Sequence, residues 1–321
     1  MKKIIIGLSV IFFFVKTFSQ QKNFEGIITY RVEAKSKTEL ISDRVIRNIL
    51  AMGNEMIVFI KNGNYKQISN GFIGYYVPKD QQVYIKYNNI DTLYYVEYSF
   101  DSTTVKKIMK SDEKKIIANF ECKTITIEAS DAIRKYYYTP ALYMNPEYDK
   151  NNSIGKFNVF MKETSSLYLA SSEERKEYSL SLTGVRVQQT EIPDSVFELP
   201  KLPIKKFVLD ELITPPEFTR PGGWENYLVK SIDREVGSKY IKLRKGEDSA
   251  SQKVIVKFLV NEYGRVVFAE VENKKEVHPK LAEEALRVVN ASPLWKPAVI
   301  YNSEKTIFWL RAPITFLVTK K

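Results

Sequence analysis

Between Phe24 and Gln189 the chain is cut into short apolar and aromatic runs with turn residues between them, and this period of two limits its fold more than any other feature. Phe24 to Arg31 alternates. Met56 to Ile60 runs into Lys61-Asn62-Gly63-Asn64, a hairpin-type turn. Phe72 to Val77, Val83 to Tyr87, Thr92 to Tyr98, Ile116 to Glu128, Ile133 to Thr139, Phe157 to Met161, Leu167 to Ser171 and Tyr178 to Gln189 read as further strands. In residues 38–51 the spacing changes. Leu40, Ile41, Val45, Ile49 and Met52 recur at helical intervals and predict one amphipathic helix. About ten strands with one early helix predict a curved antiparallel sheet with an open face or a helix laid against it. The chain holds 20 Tyr and 18 Phe, and strands such as Tyr94-Tyr95-Val96-Glu97-Tyr98 put them on both faces. One face can form the core. The other is either a broad aromatic surface suited to a chain or an acyl group, or ordinary strand composition with Tyr hydroxyls reaching water.

Met1-Lys2-Lys3 followed by the apolar run Ile4 to Val15, with small residues Thr17 and Ser19 before Gln20, predicts a cleavable secretory signal over 1–19. The apolar run is shorter than the ~20 residues of a membrane span. No Cys follows it, so no lipid anchor is expected, and the mature chain is expected in the periplasm.

A mainly β domain is expected over 20–199. Leu199-Pro200-Lys201-Leu202-Pro203 and Thr214-Pro215-Pro216 then bracket a short stretch, and 200–216 reads as a stiff linker. The last part, 217–321, changes character. Pro221-Gly222-Gly223 opens onto a helix from Trp224 to Arg234. Gln252 to Val260 and Arg265 to Glu272 form a hairpin about a loop ending in Gly264. Pro279 starts a second helix that stops at Ser292-Pro293, and a final strand runs from Lys305 to Thr319, interrupted by Pro313. The order predicts a three-stranded sheet packed with two helices, and α+β for the whole chain.

Residues 217–320 resemble the C-terminal domain of TonB-type energy transducers. The likeness rests on Pro221-Gly222-Gly223, Val256 to Val260 through Gly264 to Val271, Glu284 to Val289, Trp295-Lys296-Pro297-Ala298 and Pro313 to Phe316. It implies a periplasmic module that takes the N-terminal box of an outer-membrane transport receptor as an added strand. On that reading the final strand is the edge, with Thr306, Phe308, Leu310, Pro313, Thr315 and Leu317 as its residues. Pro313 fits an edge strand, or a bulge that blunts one. A transducer carries an uncleaved anchor and a long Pro-rich spacer, and here a folded β domain stands in their place. The N-terminal part is distantly similar to exported GLPGLI-type proteins and to the half-barrel lipoprotein-carrier fold, through Phe24 to Tyr30, Asn119 to Lys123, Tyr137 to Pro140 and Asp194 to Pro200. The segment that names the first group is absent. This likeness implies a curved sheet able to hold an apolar ligand.

One Cys and one His leave no route to a Cys-rich or His-rich metal centre or to an internal disulfide. His278 precedes Pro279 and suits a helix cap. Cys122 lies in a predicted strand and suits a buried apolar position. No phosphate loop or catalytic carboxylate pair stands out, so no enzyme activity and no cofactor is expected. The net charge of +11 is spread over scattered lysines and reads first as a solvated basic surface. The expected function is peptide binding to an outer-membrane receptor or another envelope protein. The alternatives are a carrier or sensor of an apolar ligand, and a structural protein touching peptidoglycan. Nucleic acid is not an expected partner, and a homodimer through the C-terminal domain is a further expected contact.

Overall fold

The computed structural model describes residues 21–320, so the predicted signal segment lies outside the described residues. The elements are, in order, β1 (Gly26–Ser36), α1 (Asp43–Ile49), β2 (Glu55–Lys61), β3 (Asn64–Ser69), β4 (Phe72–Val77), β5 (Gln82–Tyr87), β6 (Leu93–Glu97), β7 (Val105–Ile117), β8 (Phe120–Ala129), β9 (Ile133–Tyr143), α2 (Phe157–Thr164), β10 (Ser166–Glu174) and β11 (Tyr178–Gln189). There follow β12 (Ile204–Lys206), β13 (Ile213–Thr214), β14 (Glu217–Phe218), α3 (Gly223–Ser231), α4 (Arg234–Tyr240), β15 (Ser249–Val260) and β16 (Val266–Val271). The chain closes with α5 (Pro279–Asn290), β17 (Trp295–Lys296), β18 (Ala298–Ile300), β19 (Glu304–Thr306) and β20 (Phe308–Thr319). The class is α+β, as the sequence predicts.

Strands β1 to β12 form one curved twelve-stranded sheet in the order β12-β6-β5-β4-β3-β2-β1-β11-β10-β9-β8-β7. Neighbours are antiparallel except β12, which runs parallel to β6. Seven of the eleven pairings join strands linked by short turns, while β1–β2 and β9–β10 span α1 and α2, β11 closes back on β1, and β12 returns to β6. The Asn62-Gly63 turn joins β2 to β3 with both residues at positive φ (48° and 77°), as a two-residue hairpin requires. The core lies on the concave face, around Ile28, Ile60, Ile125, Ile127 and Leu169.

Two expectations need correction here, and one strand was not expected at all. Phe157 to Met161 is not a strand but the first half of α2. Gly155 (φ 60°) and Lys156 (φ 62°) turn the chain out of extended geometry, and Phe157, Phe160 and Met161 then share one helical face against the core. Five apolar-rich residues fit both periods, and burial decides between them. Residues 105–115 carry no alternating pattern, yet they form most of β7. This strand is exposed along nearly its whole length and lies at one end of the sheet, so neither face selects apolar residues. Its lysines suit an edge that must not pair further. Finally, the single helix expected over 224–234 is two. The chain breaks at Ile232, where ψ is 129°, and restarts at Asp233, whose side chain accepts from the Glu235 N–H. The Asp233 N–H donates to the buried Glu284 carboxylate at 2.7 Å, which fixes the break from outside the helix.

The last part is a three-stranded sheet in the order β16-β15-β20 with α5 and α4 packed on it, so three helices stand where two are expected. Val254, Val256 and Phe258 of β15, Ile314 and Phe316 of β20, and Leu281, Ala285 and Val289 of α5 make its core. Pro279 occupies the first turn of α5, and His278 caps it through Nδ1, which accepts from the Lys280 N–H at 3.2 Å.

Segment 200–216 is more structured than its prolines suggest. β12 adds to the large sheet, and β13 pairs with β18 beside β19. Leu212, Ile300 and Tyr301 share one buried cluster with Ala51, Phe72, Tyr87 and Tyr94 of the large sheet domain. Tyr87 and Tyr301 stack with ring centres 4.0 Å apart, and the Tyr301 hydroxyl donates to the Ile49 carbonyl at 2.8 Å. Ser42 and Glu262 add a hydrogen bond of 2.7 Å across the same boundary.

Candidate functional site

The concave face of the large sheet holds a cavity of about 350 Å³. Strand alternation builds it. Met56, Val58 and Ile60 on β2, Tyr65 and Gln67 on β3, and Val83 and Ile85 on β5 each recur at every second residue and so face one way. Leu180 and Leu182 of β11, with Leu167 and Tyr168 of β10, line the opposite side. Asn152, Ile154, Gly155 and Phe157 cover it from the segment leading into α2. Val58, Ile85, Phe157 and Leu180 of the lining are only half-buried. Its size falls at the small end of the ~300–1,000 Å³ typical of ligand sites, and its lining is mostly aromatic and aliphatic with few polar groups.

The polar groups are specific ones. The Tyr30 hydroxyl donates to the Tyr168 carbonyl at 2.8 Å, and the Tyr136 hydroxyl to that of Gly155 at 3.0 Å. Burial pushes the Tyr76 hydroxyl up to about 12, with the Asp149 charge adding to it. Asp149 is fully buried. Its Oδ2 accepts from the Tyr65 hydroxyl at 2.8 Å and its Oδ1 from Asn152 Nδ2 at 3.2 Å. Burial raises its carboxyl to about 6, although both hydrogen bonds favour the charged form. Arg134 also lines the cavity, buried and fully engaged. Its Nε donates to Glu173 at 2.8 Å, and its two Nη atoms form a fork on Asp131 at 3.1 and 2.7 Å.

The residues expected on the peptide-binding edge divide. Thr306 is corrected: it belongs to β19, pairs with Ala298 and is buried. The main chain of Ile255 faces β16, because its N–H donates to Asn273 Oδ1 and its carbonyl accepts from Glu272, both at 2.9 Å. Ile255 lies opposite Pro313, so this pair makes no ladder bonds, and the Pro313 main chain points away from β15. Alternation then directs the main chains of Phe308 and Leu310 to β15. Those of Thr315 and Leu317 face the free edge, with side chains exposed. Pro313 has no N–H and leaves a gap in the middle of that row of donors. There is no bulge at Pro313, since the β15–β20 register is continuous from Ser249 to Val260.

The other singled-out residues hold the C-terminal part together. Gly264 is at φ 78°, and a Cβ there would stand 1.9 Å from the Trp295 carbonyl oxygen. The Gly264 carbonyl accepts from the Trp295 N–H at 2.8 Å. Trp295 pairs with Phe218 and packs among Trp224 and Phe258, and Lys296 pairs with Glu217 across the same two-residue ladder. Pro297 follows that ladder directly. Gly222 (φ 83°), after Pro221 and before Gly223, admits the chain to α3 against the Asn226 side chain. None of these lies in β20. Cys122 is buried, and burial pushes its thiol up, away from nucleophilic use. Sequence reasoning missed Asp149, Asn152 and the cavity lining. The alternation of β2, β3 and β5 carried the signal for the lining, while Asp149 and Asn152 sit in a loop with no pattern.

No family model matches the chain, and no characterised protein matches it in sequence. Among solved structures, PNGF-II overlays at TM-score 0.36 in its P21 crystal form and 0.34 in its C2 form. Both are 11% identical and cover 74% of this chain, which spans 44% of the length of PNGF-II. The lipoprotein LppX of Mycobacterium tuberculosis overlays at TM-score 0.27 with 9% identity, over 53% of this chain and 89% of its own. Superpositions this loose establish neither a shared fold nor a shared activity.

Proposed function

We propose that this chain is an exported envelope protein that holds an apolar ligand in the concave face of its large sheet, as a carrier or sensor. The observation behind this reading is the cavity of about 350 Å³, lined by Met, Val, Ile, Leu and Tyr side chains, several of them only half-buried. An apolar surface of this kind gains free energy by leaving water, and an apolar ligand would complete its packing. The test uses the full chain, purified from envelope fractions without detergent. Native mass spectrometry should find an extractable apolar small molecule, and the dye N-phenyl-1-naphthylamine should bind. Leu180→Trp fills the cavity from a half-buried position, and it should abolish dye binding with a melting temperature close to the parent's. Undiminished binding by that folded variant would put the ligand elsewhere.

A second reading is favoured by the free edge of β20. The C-terminal part would bind an extended peptide from an outer-membrane transport receptor by strand addition, in the manner its TonB-like motifs imply. The Thr315 and Leu317 main chains are the groups available to it. This reading concerns a different part of the molecule and is compatible with the first.

A further inference from the structure

Among the described residues, two buried side-chain polar atoms have no hydrogen-bond partner: Asn152 Oδ1 and the Tyr98 hydroxyl. Folded proteins pair nearly all such atoms, because an unpaired one loses its hydration without compensation. Both unpaired atoms belong to the surroundings of one group. Asp149 holds the Asn152 amide, and the Asp149 charge joins burial in raising the Tyr98 hydroxyl. The orientation of the Asn152 amide follows from its neighbour. Nδ2 must face the Asp149 carboxylate, since two oxygens cannot bond each other there, so the atom left over is an acceptor. Asn152 is itself part of the cavity lining and only 2% exposed.

The charges around the cavity favour one class of partner for that acceptor. Arg134 is the basic side chain in the lining, and Glu173 and Asp131 already take its guanidinium. Lys156, buried close to the same segment, is held by Asp101 at 3.1 Å. No cation is left over in the lining for an anionic head group, while Glu173 lines the cavity and the Asp149 carboxylate stands directly behind Tyr65 and Asn152.

We propose that the cavity selects an amphiphile whose polar end is a hydrogen-bond donor, a hydroxyl or an amine, received by Asn152 Oδ1. Its apolar chain lies along Met56, Val58, Ile60 and Leu180. Asp149 acts as a positioning residue that fixes the amide. This selectivity rests on the apolar-ligand reading above and adds the chemistry of the head group to it.

The test is displacement of N-phenyl-1-naphthylamine from the full chain at pH 7.5 by four probes with a ten-carbon chain: 1-decanol, decylamine, methyl decanoate and decanoate. The alcohol and the amine should displace the dye at concentrations at least about tenfold lower than the ester, which has no donor, or the carboxylate. Asn152→Ala should weaken the alcohol and the amine and leave the ester unchanged. Equal or better displacement by the ester or the carboxylate in the parent protein would overturn the head-group assignment while leaving the cavity reading intact. A dye that does not bind at all would remove both. The parent series decides by itself if the variant does not fold.

Discussion

Asp149 shows what a single residue can contribute that no local pattern announces. Its hydroxyl partner, Tyr65, is far away in sequence, and the two meet only because β3 and the loop before α2 close over one cavity. Because folding raises its carboxyl from 3.8 to about 6, the folded state holds the proton more tightly than the unfolded chain. Its contribution is therefore fully present below about pH 3.8 and is lost as pH rises through about 6. The expected loss is on the order of 3 kcal/mol. Asp149→Asn keeps a neutral, similarly shaped group and should remove this component. Urea unfolding at pH 4.5 and 7.5 on both proteins should show it as a difference between their pH slopes, and identical slopes would exclude it. Gly264 makes the opposite case, since the loop Asn261 to Gly264 already predicts a turn glycine. Gly264→Ala combines a strained φ with a Cβ inside the Trp295 backbone, and it should destabilise the protein by about 3 kcal/mol or more in thermal melts.

At the scale of elements, most strands with one buried face were legible, although β3 was passed over despite burying every second residue, and the strand with no buried face was not legible. β4 and β11 begin and end where the alternation of the sequence does, whereas β7 exposes both faces and shows no period. The break between α3 and α4 was hidden for a different reason, because it depends on Glu284 of α5 reaching the Asp233 N–H. The edge of β20 yields a prediction at this scale. Thr315→Pro removes a donor that faces away from β15, so the domain should remain folded while binding of an extended receptor peptide falls in calorimetric titration. Phe258→Ala truncates a side chain buried against Trp224 and Trp295 and should cost about 3–5 kcal/mol of stability instead. Peptide binding unchanged by Thr315→Pro would move that contact off the β20 edge.

Across the whole molecule, the hairpin of β18 and β19 packs its connection against the large sheet domain. Phe72, Met52 and Ile85 belong both to the cavity wall and to the cluster that contains Leu212, Ile300 and Tyr301. A ligand that presses on these side chains therefore presses on the seat of the C-terminal part. Tyr301→Ala removes the stack on Tyr87 and the bond to Ile49, and a buried aromatic truncation of this kind is worth about 3–5 kcal/mol. In calorimetry the parent should unfold in one transition, and Tyr301→Ala should split it into two, with the C-terminal part melting separately. A single unchanged transition in the variant would mean that the shared cluster does not couple the two parts.

The sequence by itself determined the α+β class, the curved antiparallel sheet, the Pro279 helix start with its His278 cap, and the glycine turn at Gly264. Each of these depends on period, turn chemistry or capping, which act over a few neighbouring residues. Only the tertiary structure decided that Phe157 to Met161 is helical, that Thr306 is buried off the edge, and that Pro313 interrupts the outward row of β20. It alone also brought Asp149 into contact with Tyr65 and Asn152 of the cavity lining. Burial, sheet order and the direction of main-chain groups between strands are properties of distant segments packed together, and no local window of the chain contains them.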